Sequence, residues 1–215
     1  MKSYRADIDG LRAVAVLAVL LFHGFPDLLP GGFLGVDVFF VISGYLITGI
    51  LLENLDRGGL RLFDFYRHRI RRIFPALVVV LAACFAFGSI VLLADEFAQL
   101  GKQIAASAVF MSNFVLWGEA GYFDTASITK PLLHLWSLAV EEQFYLLWPL
   151  LLWLAWRLRL PPLGLAGLCV ALSFAACVTF AGRDATADFF SPVTRFWEIL
   201  VGAMLVARSA PASWT

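Results

Sequence analysis

The sequence predicts an all-α fold, a polytopic transmembrane helix bundle with about six spans. Hydrophobic residues make up 61% of the 215-residue chain, and its mean hydropathy is +0.84. Both values lie far above those of a soluble domain. Several apolar runs also reach the roughly 20 residues that a helix needs to cross the hydrocarbon core. Because no internal repeat or linker interrupts the chain, residues 1–215 are interpreted as one membrane domain.

Six apolar runs are candidate spans. In chain order they are Leu11–Leu29, Phe33–Leu52, Pro75–Leu93, Trp136–Trp156, Leu163–Ala181 and the shorter Val193–Ala207. Pro75 suits the first position of its helix. The run Ile104–Trp117 covers only 14 residues, a length typical of an interfacial or re-entrant helix. The first run follows a charged N-terminus and lacks a cleavage motif, so we expect an uncleaved span.

Basic residues between the second and third spans predict the orientation. They are Arg57, Arg61, Arg67, His68, Arg69, Arg71 and Arg72. Basic loops are retained in the cytoplasm, which places the N-terminus inside and the Pro26–Gly32 turn outside. Arg157 and Arg159 mark the next cytoplasmic connection. The third span leaves the cytoplasm and Trp136–Trp156 must return to it, so Ile104–Trp117 cannot cross the membrane. The stretch Asp95–Leu135 is then expected outside.

Ionisable residues lie inside the apolar runs, where burial is costly unless it serves a function. With a rise of about 1.5 Å per residue, the predicted span ends place several of them at one depth, in the outer third of the membrane. They are His23, Asp37, Glu141, Glu142, Arg195 and Glu198. This polar layer predicts a catalytic or substrate-binding centre. A purely structural network is the alternative, with Arg195 and Glu198 paired at i,i+3 and one of the adjacent glutamates structural.

The arginines that precede the third span have two interpretations. Such clusters are the ordinary topology signal and also bind anionic lipid headgroups. Guanidinium groups are equally well suited to clamping a phosphate. Composition alone favours the first interpretation.

Other kinds of chemistry find no support in the sequence. Cys84, Cys169 and Cys177 have no metal-ligand spacing and are interpreted as small hydrophobic residues. Neither a glycine-rich phosphate loop nor a serine nucleophile elbow is present. We therefore expect no metal, and no nucleic acid as a partner.

Five motifs, in order, resemble the acyltransferase-3 family of multipass membrane proteins. They are the Tyr4–Val16 segment leading to Phe22-His23, the Gly35–Ile47 segment, the arginine-rich Phe65–Leu77 segment, Pro131–Tyr145 and Arg195–Glu198. Together they cover most of the chain. The family's membrane domain contains more helices than the six spans predicted here. The resemblance therefore implies that this chain is the N-terminal portion of a larger bundle.

The resemblance implies transfer of an acyl group, commonly acetyl, from cytoplasmic acyl-coenzyme A to a hydroxyl of an extracytoplasmic envelope glycan or glycolipid. Lipopolysaccharide O-antigen, exopolysaccharide and peptidoglycan are candidate acceptors. The expected location is the bacterial cytoplasmic (inner) membrane, in contact with its lipids.

The same resemblance implies roles for individual residues. Arg12 and His23 would form the family's Arg-x10-His motif, with His23 central to the chemistry and Arg12 assigned to the donor. Arg69 and Arg72 would belong to an Arg-x-x-Arg motif near the donor. The remaining assignments are Asp37 and Glu141 as catalytic residues, and Glu142, Arg195, Glu198 and His134 as substrate-binding residues.

A mechanism follows from these assignments. Coenzyme A would dock on the inner arginines and extend its pantetheine arm to the outer polar layer. A neutral His23 would accept the proton of the incoming hydroxyl, with Asp37 or Glu141 orienting the ring. A covalent acyl-histidine is the competing route. The alternative functions are a transporter or lipid-binding membrane protein with a buried polar pathway, or a non-catalytic remnant.

Overall fold

The computed structural model describes residues 5–119 and 130–208, and within them the chain is helical without strands. The helices are α1 (Ala6–Gly24), α2 (Gly35–Asp56), α3 (Leu62–Val91), α4 (Ala94–Ala108), α5 (Ser112–Glu119), α6 (Leu135–Arg157), α7 (Pro162–Ala181), α8 (Ala185–Phe190) and α9 (Pro192–Ala207). A 3-10 turn, Gly32–Leu34, precedes α2. The predicted all-α fold is confirmed.

Four helical stretches in the described part of the chain are long and apolar enough to cross a membrane. They are Gly32–Asp56, Leu62–Val91, Leu135–Arg157 and Pro162–Ala181, and each overlaps a predicted span. Helix α1 has 19 residues but carries three charged ones in its first half, and α9 has 16 residues. The chain is thus a multipass membrane protein, and the count of six spans stays a prediction.

The first helix ends earlier than the sequence predicted. We expected Leu11–Leu29, whereas α1 ends at Gly24. Pro26 explains the end, because the residue before a proline is disfavoured in the helical region, and Phe25 has φ −144° and ψ 70°. His23 therefore lies in the last turn of α1 rather than well inside it, and its side chain is exposed. The predicted depth of His23 within this helix is corrected accordingly.

The third helix begins earlier than predicted. It starts at Leu62 and has 30 residues, so Pro75 lies inside it and is not its first residue. The basic residues before Pro75 lower the hydropathy, and for this reason the sequence predicts a loop there. Arginine is nevertheless a good helix former, and the partly buried residues Leu62, Tyr66 and Ile73 recur at helical spacing. The arginine motif therefore stands on a helix that continues directly into the apolar span.

The predicted short helix Ile104–Trp117 is not continuous. Helix α4 ends at Ala108 and α5 begins at Ser112. Between them Phe110 has a φ of 56°, a left-handed conformation that a regular helix cannot contain. The apolar run therefore spans two helices, and the prediction of one helix there was wrong.

The chain divides into two compact units. The first comprises the described residues of Met1–Gly58, Leu150–Ala175 and Phe196–Thr215, and the second comprises those of Gly59–Pro149 and Ala176–Arg195. Helices α6, α7 and α9 contribute residues to both.

Glycines bring helices close together in the first unit. A Cβ atom on Gly44 of α2 would collide with the backbone carbonyl oxygen of Ile199 in α9, and one on Gly202 would collide with that of Val41. A Cβ on Gly35 would likewise meet the carbonyl oxygen of Ala15 in α1. Small residues at such crossings are typical of helix packing in membranes. They place α2 between α1 and α9.

A small apolar core and several buried polar contacts hold the second unit. The core contains the buried Leu77, Leu81, Leu100 and Leu132. Asn113 of α5 is fully buried and donates from Nδ2 to the carbonyl oxygen of Phe190 in α8, at 3.1 Å. Ser112 donates from Oγ to the carbonyl oxygen of Leu135, at 3.0 Å. These bonds fix α5 against α8 and against the start of α6.

Candidate active site

The predicted site residues are divided between the two units. The first unit contains Arg12, His23, Asp37 and Glu198, and the second contains Arg69, Arg72, His134, Glu141, Glu142 and Arg195. Each group is described within its own unit. The single polar layer expected from the sequence stays a prediction.

Arg12 and His23 lie on one face of α1. Their spacing of eleven residues is close to three turns of 3.6 residues, which separates them by about 16 Å along the helix axis. The guanidinium carbon of Arg12 lies 5.2 Å from the ring centroid of Phe39 in α2, within the range of a cation–π contact. The helix thus carries a cation and an imidazole along the same side.

The imidazole of His23 contacts the backbone of its own helix. Its Nδ1 lies 2.8 Å from the carbonyl oxygen of Val19, one turn earlier on α1. A carbonyl oxygen can only accept, so Nδ1–H is the donor in this contact. The ring also makes an edge contact with Phe22, with 5.2 Å between ring centroids. The Val19 carbonyl oxygen thus occupies the Nδ1 side of the ring.

The first unit also contains two of the predicted carboxylates. Asp37 is half-buried in the first turn of α2, where the helix dipole favours a negative charge. Glu198 is 3% exposed in α9. Its neighbour Trp197 donates its backbone N–H to Ser173 Oγ of α7, at 2.9 Å. That bond ties the start of α9 to α7 beside Glu198.

Arg69 and Glu142 form a mostly buried ion pair in the second unit. Arg69 Nη2 lies 2.6 Å from Glu142 Oε1, and the two side chains are 15% and 12% exposed. The residues are 73 positions apart in the chain. The pair therefore joins the arginine-bearing half of α3 to α6. Glu142, predicted to bind substrate, is engaged with this arginine.

Tyr145 contacts the same guanidinium group. The Arg69 Cζ atom lies 3.8 Å above the centroid of the Tyr145 ring, and Tyr145 is 3% exposed. The phenolic hydroxyl donates to Glu141 Oε1. Glu141 and Glu142 leave α6 in different directions, yet both belong to one network around Arg69.

Arg72 has different surroundings from Arg69. It lies one turn further along α3 and is exposed. The nearby Arg67, His68 and Arg71 are exposed as well. Arg69, by contrast, is partly buried on the same side of α3 as Tyr66 and Ile73. The arginine motif thus has one inward guanidinium and several outward ones.

Arg195 is held by aromatic rings. Its Cζ atom lies 5.4 Å from the ring centroid of Trp136 and 5.7 Å from that of Phe189. The ring of Trp136 is buried, whereas Phe189 is 45% exposed. His134 is exposed and directly precedes α6. The start of α6 and the start of α9 therefore both carry candidate substrate-binding groups.

Three residues of the second unit, Tyr145, Gln143 and Asn113, contact the site without being among the residues predicted from the sequence. Gln143 donates from Nε2 to Asn113 Oδ1 at 2.9 Å. The signal for Tyr145 was present, because it stands four residues after Glu141, a spacing at which helical side chains meet. No local spacing indicated Asn113, whose partners lie on other helices. Within residues 5–119 and 130–208, no group of three or more His, Cys, Asp or Glu side chains is placed to hold a metal ion.

Comparison with known proteins gives consistent matches. The profile of the family described as "Acyltransferase domain" matches residues 5–209. "Peptidoglycan O-acetyltransferase OatA" of Listeria monocytogenes is 37% identical over 95% of this chain and 34% of its own length. "Putative peptidoglycan O-acetyltransferase YrhL" of Bacillus subtilis is 37% identical over 94% of the chain and 33% of its own length.

This chain thus spans about a third of the length of these relatives. No solved structure matches it. The family profile covers nearly the whole chain, and it includes the Arg12–His23 helix, the arginine motif of α3 and the acidic motif of α6. The chain therefore belongs to the acyltransferase-3 family.

Proposed function

We propose that this chain is the membrane acyltransferase domain of an enzyme that O-acetylates an envelope polysaccharide. The donor would be a cytoplasmic acyl-coenzyme A, acetyl-coenzyme A first among them. Peptidoglycan is the acceptor to test first, because two of the relatives carry it in their names. The observation that carries the proposal is the family match over residues 5–209.

The geometry of α1 supports His23 as the general base. Nδ1 is engaged by the Val19 carbonyl oxygen, so Nε2 is the nitrogen that takes the proton of the acceptor hydroxyl. The hydroxyl oxygen forms a bond to the thioester carbonyl carbon, and the carbon–sulfur bond breaks. The leaving thiolate of coenzyme A takes the proton back from His23. A covalent route would instead form an acyl-Nε2 bond first and then transfer the acyl group to the hydroxyl.

The remaining residues receive proposed roles on either side of this reaction. Arg12, Arg69 and Arg72 are placed on the donor side, where a guanidinium group suits either a phosphate or the thioester oxygen of the acyl donor. Asp37 and Glu141 are the carboxylates proposed to assist His23. Arg195, Glu198 and His134 are proposed on the acceptor side, with the Trp136 ring beneath Arg195. These roles require the N-terminus in the cytoplasm and the chain in the bacterial inner membrane.

The proposal is tested with the full-length protein in membranes that contain its glycan. Wild type is expected to transfer labelled acetyl groups from acetyl-coenzyme A to peptidoglycan. His23→Ala, at matched expression, is expected to lose activity by about 10²- to 10⁴-fold, the usual contribution of a general base.

His68→Ala is the matched control, because it removes another exposed histidine that has no proposed role. It should keep wild-type activity. Equal activity of wild type and His23→Ala would remove His23 from the chemistry. The absence of any transfer by wild type, with donor and glycan supplied, would overturn the proposed function.

A further inference from the structure

The two arginines of the Arg-x-x-Arg motif differ in burial and in the contacts of their guanidinium groups. Arg69 directs its Nη2 at Glu142 and lays its guanidinium plane near the Tyr145 ring. Its Nε atom is buried and has no hydrogen-bond partner among the described residues. Arg72 is exposed on the next turn of the same helix. One side chain is thus enclosed by protein, and the other faces outward.

The Arg69–Glu142 pair opposes a role for Arg69 in binding phosphate. A phosphate that claimed this guanidinium would compete with a carboxylate only 2.6 Å away. Glu142 would then be left as a largely buried charge without its cation, and breaking buried pairs in this way is strongly unfavourable. An exposed guanidinium such as that of Arg72 can bind a phosphate with two hydrogen bonds without breaking the bonded Arg69–Glu142 pair.

Tyr145 is placed to fix the plane of Arg69. Its ring is buried and its hydroxyl is hydrogen-bonded to Glu141, so the position of the ring against Arg69 is fixed. Contacts between a guanidinium and an aromatic face strengthen when water is excluded. The orientation of Arg69 is therefore set by residues of α6, namely Glu142 and Tyr145.

We propose that Glu142 and Tyr145 are positioning residues that fix Arg69, and that Arg72 rather than Arg69 binds a phosphate of the acyl donor. This assignment rests on the proposed function, because it presupposes an acyl-coenzyme A donor. It divides the motif into an inner residue that organises the α3–α6 contact and an outer residue that holds the ligand.

The test measures KM for acetyl-coenzyme A, kcat and thermal unfolding with and without coenzyme A, using full-length protein in membranes or nanodiscs. Arg72→Gln should raise KM by about tenfold or more, as expected for the loss of charge-assisted hydrogen bonds to a phosphate. Its kcat should stay within about twofold, and coenzyme A should raise its unfolding temperature less than it raises that of wild type at the same concentration.

The inner residues should respond in the opposite way. Arg69→Lys, Glu142→Gln and Tyr145→Leu should lower kcat by about tenfold while KM stays within about threefold. Their unfolding temperatures should still rise with coenzyme A. Tyr145→Phe keeps the ring beneath Arg69 and should recover most of the kcat lost in Tyr145→Leu. Arg61→Gln is the matched control, since Arg61 is exposed just before α3 and should leave KM and kcat unchanged.

Each contrary result has a separate meaning. An equal rise in KM for Arg69→Lys and Arg72→Gln, or an unchanged KM for Arg72→Gln, would overturn the division of roles while leaving acyl transfer in place. If wild type binds coenzyme A but transfers no acyl group, the proposed function fails, and the unfolding shifts of the variants still decide between Arg69 and Arg72. If wild type neither binds nor transfers, both proposals fall.

Discussion

The side-chain amide of Gln143 donates from Nε2 to the backbone carbonyl oxygen of Phe110, at 2.7 Å. Phe110 has a φ of 56°, a conformation that costs a non-glycine residue roughly 1–2 kcal/mol. The same nitrogen lies 2.9 Å from Asn113 Oδ1. A side chain of α6 thus supplies the hydrogen-bond donor for backbone and side-chain oxygens at the break between α4 and α5. The acidic motif of α6 and this break form one structural unit.

Replacing Gln143 by leucine should destabilise the protein. The Phe110 carbonyl and the fully buried Asn113 amide oxygen would lose a donor, which costs about 1–3 kcal/mol for a buried polar group. Thermal unfolding in a defined detergent measures the effect. Gln99→Leu is the control, because Gln99 is exposed on α4 and such changes usually stay within about 0.5 kcal/mol. Equal unfolding temperatures for the two variants would contradict this account.

Gly44→Ala should loosen the packing of α2 against α9. The added Cβ would collide with the Ile199 backbone carbonyl, and a backbone atom cannot move aside as a flexible side chain can. Overpacking of this kind typically costs about 1–3 kcal/mol. The loss should appear as a lower unfolding temperature and faster proteolysis.

Gly49→Ala, on the same helix, provides the comparison for Gly44→Ala. A Cβ at Gly49 would meet the Val206 side chain at 3.8 Å, an ordinary contact. Replacing an interior helical glycine by alanine is otherwise favourable by up to about 1 kcal/mol. We expect unchanged or higher stability. A similar loss in both variants would show that the Gly44 crossing is not specially tight.

Arg195→Gln should affect the acceptor rather than the donor. Its guanidinium lies against the contacting rings of Trp136 and Phe189, which suits it to hold a polar group of the glycan. We expect KM for the acceptor to rise by about tenfold, with coenzyme A binding unchanged. Kinetics with soluble glycan fragments measure the difference. Arg183→Gln, at an exposed position before α8, should leave both values unchanged, and a loss of donor binding in Arg195→Gln would refute the assignment.

Long uninterrupted apolar runs predicted their helices well. The expected span Trp136–Trp156 differs from α6 by one residue at each end, because hydropathy alone determines such a helix. Hydropathy did not predict the helix ends that depend on backbone stereochemistry or on amphipathicity. Pro26 ended α1 before the apolar run ended, and the arginine-rich start of α3 was assigned to a loop although its inward residues recur at helical spacing.

The site was predictable in its residue types but not in its pairings. Burial cost identified Glu141 and Glu142 as special, and helix geometry required them to point in different directions. The partner of Glu142 was beyond the sequence, because Arg69 lies 73 positions away and several arginines nearby were equally plausible. The correction at His23 has the same origin, since the depth of a residue depends on where its helix ends.

Pro75 interrupts the backbone hydrogen bonding of α3. Proline has no N–H, so the carbonyl of Arg71 receives no backbone hydrogen bond from within the helix, and helices bend most readily at such points. Pro75 lies between the half of α3 that carries Arg69 and Arg72 and the apolar half that follows. With one hydrogen bond fewer at this point, bending α3 between its two halves costs less than bending it elsewhere.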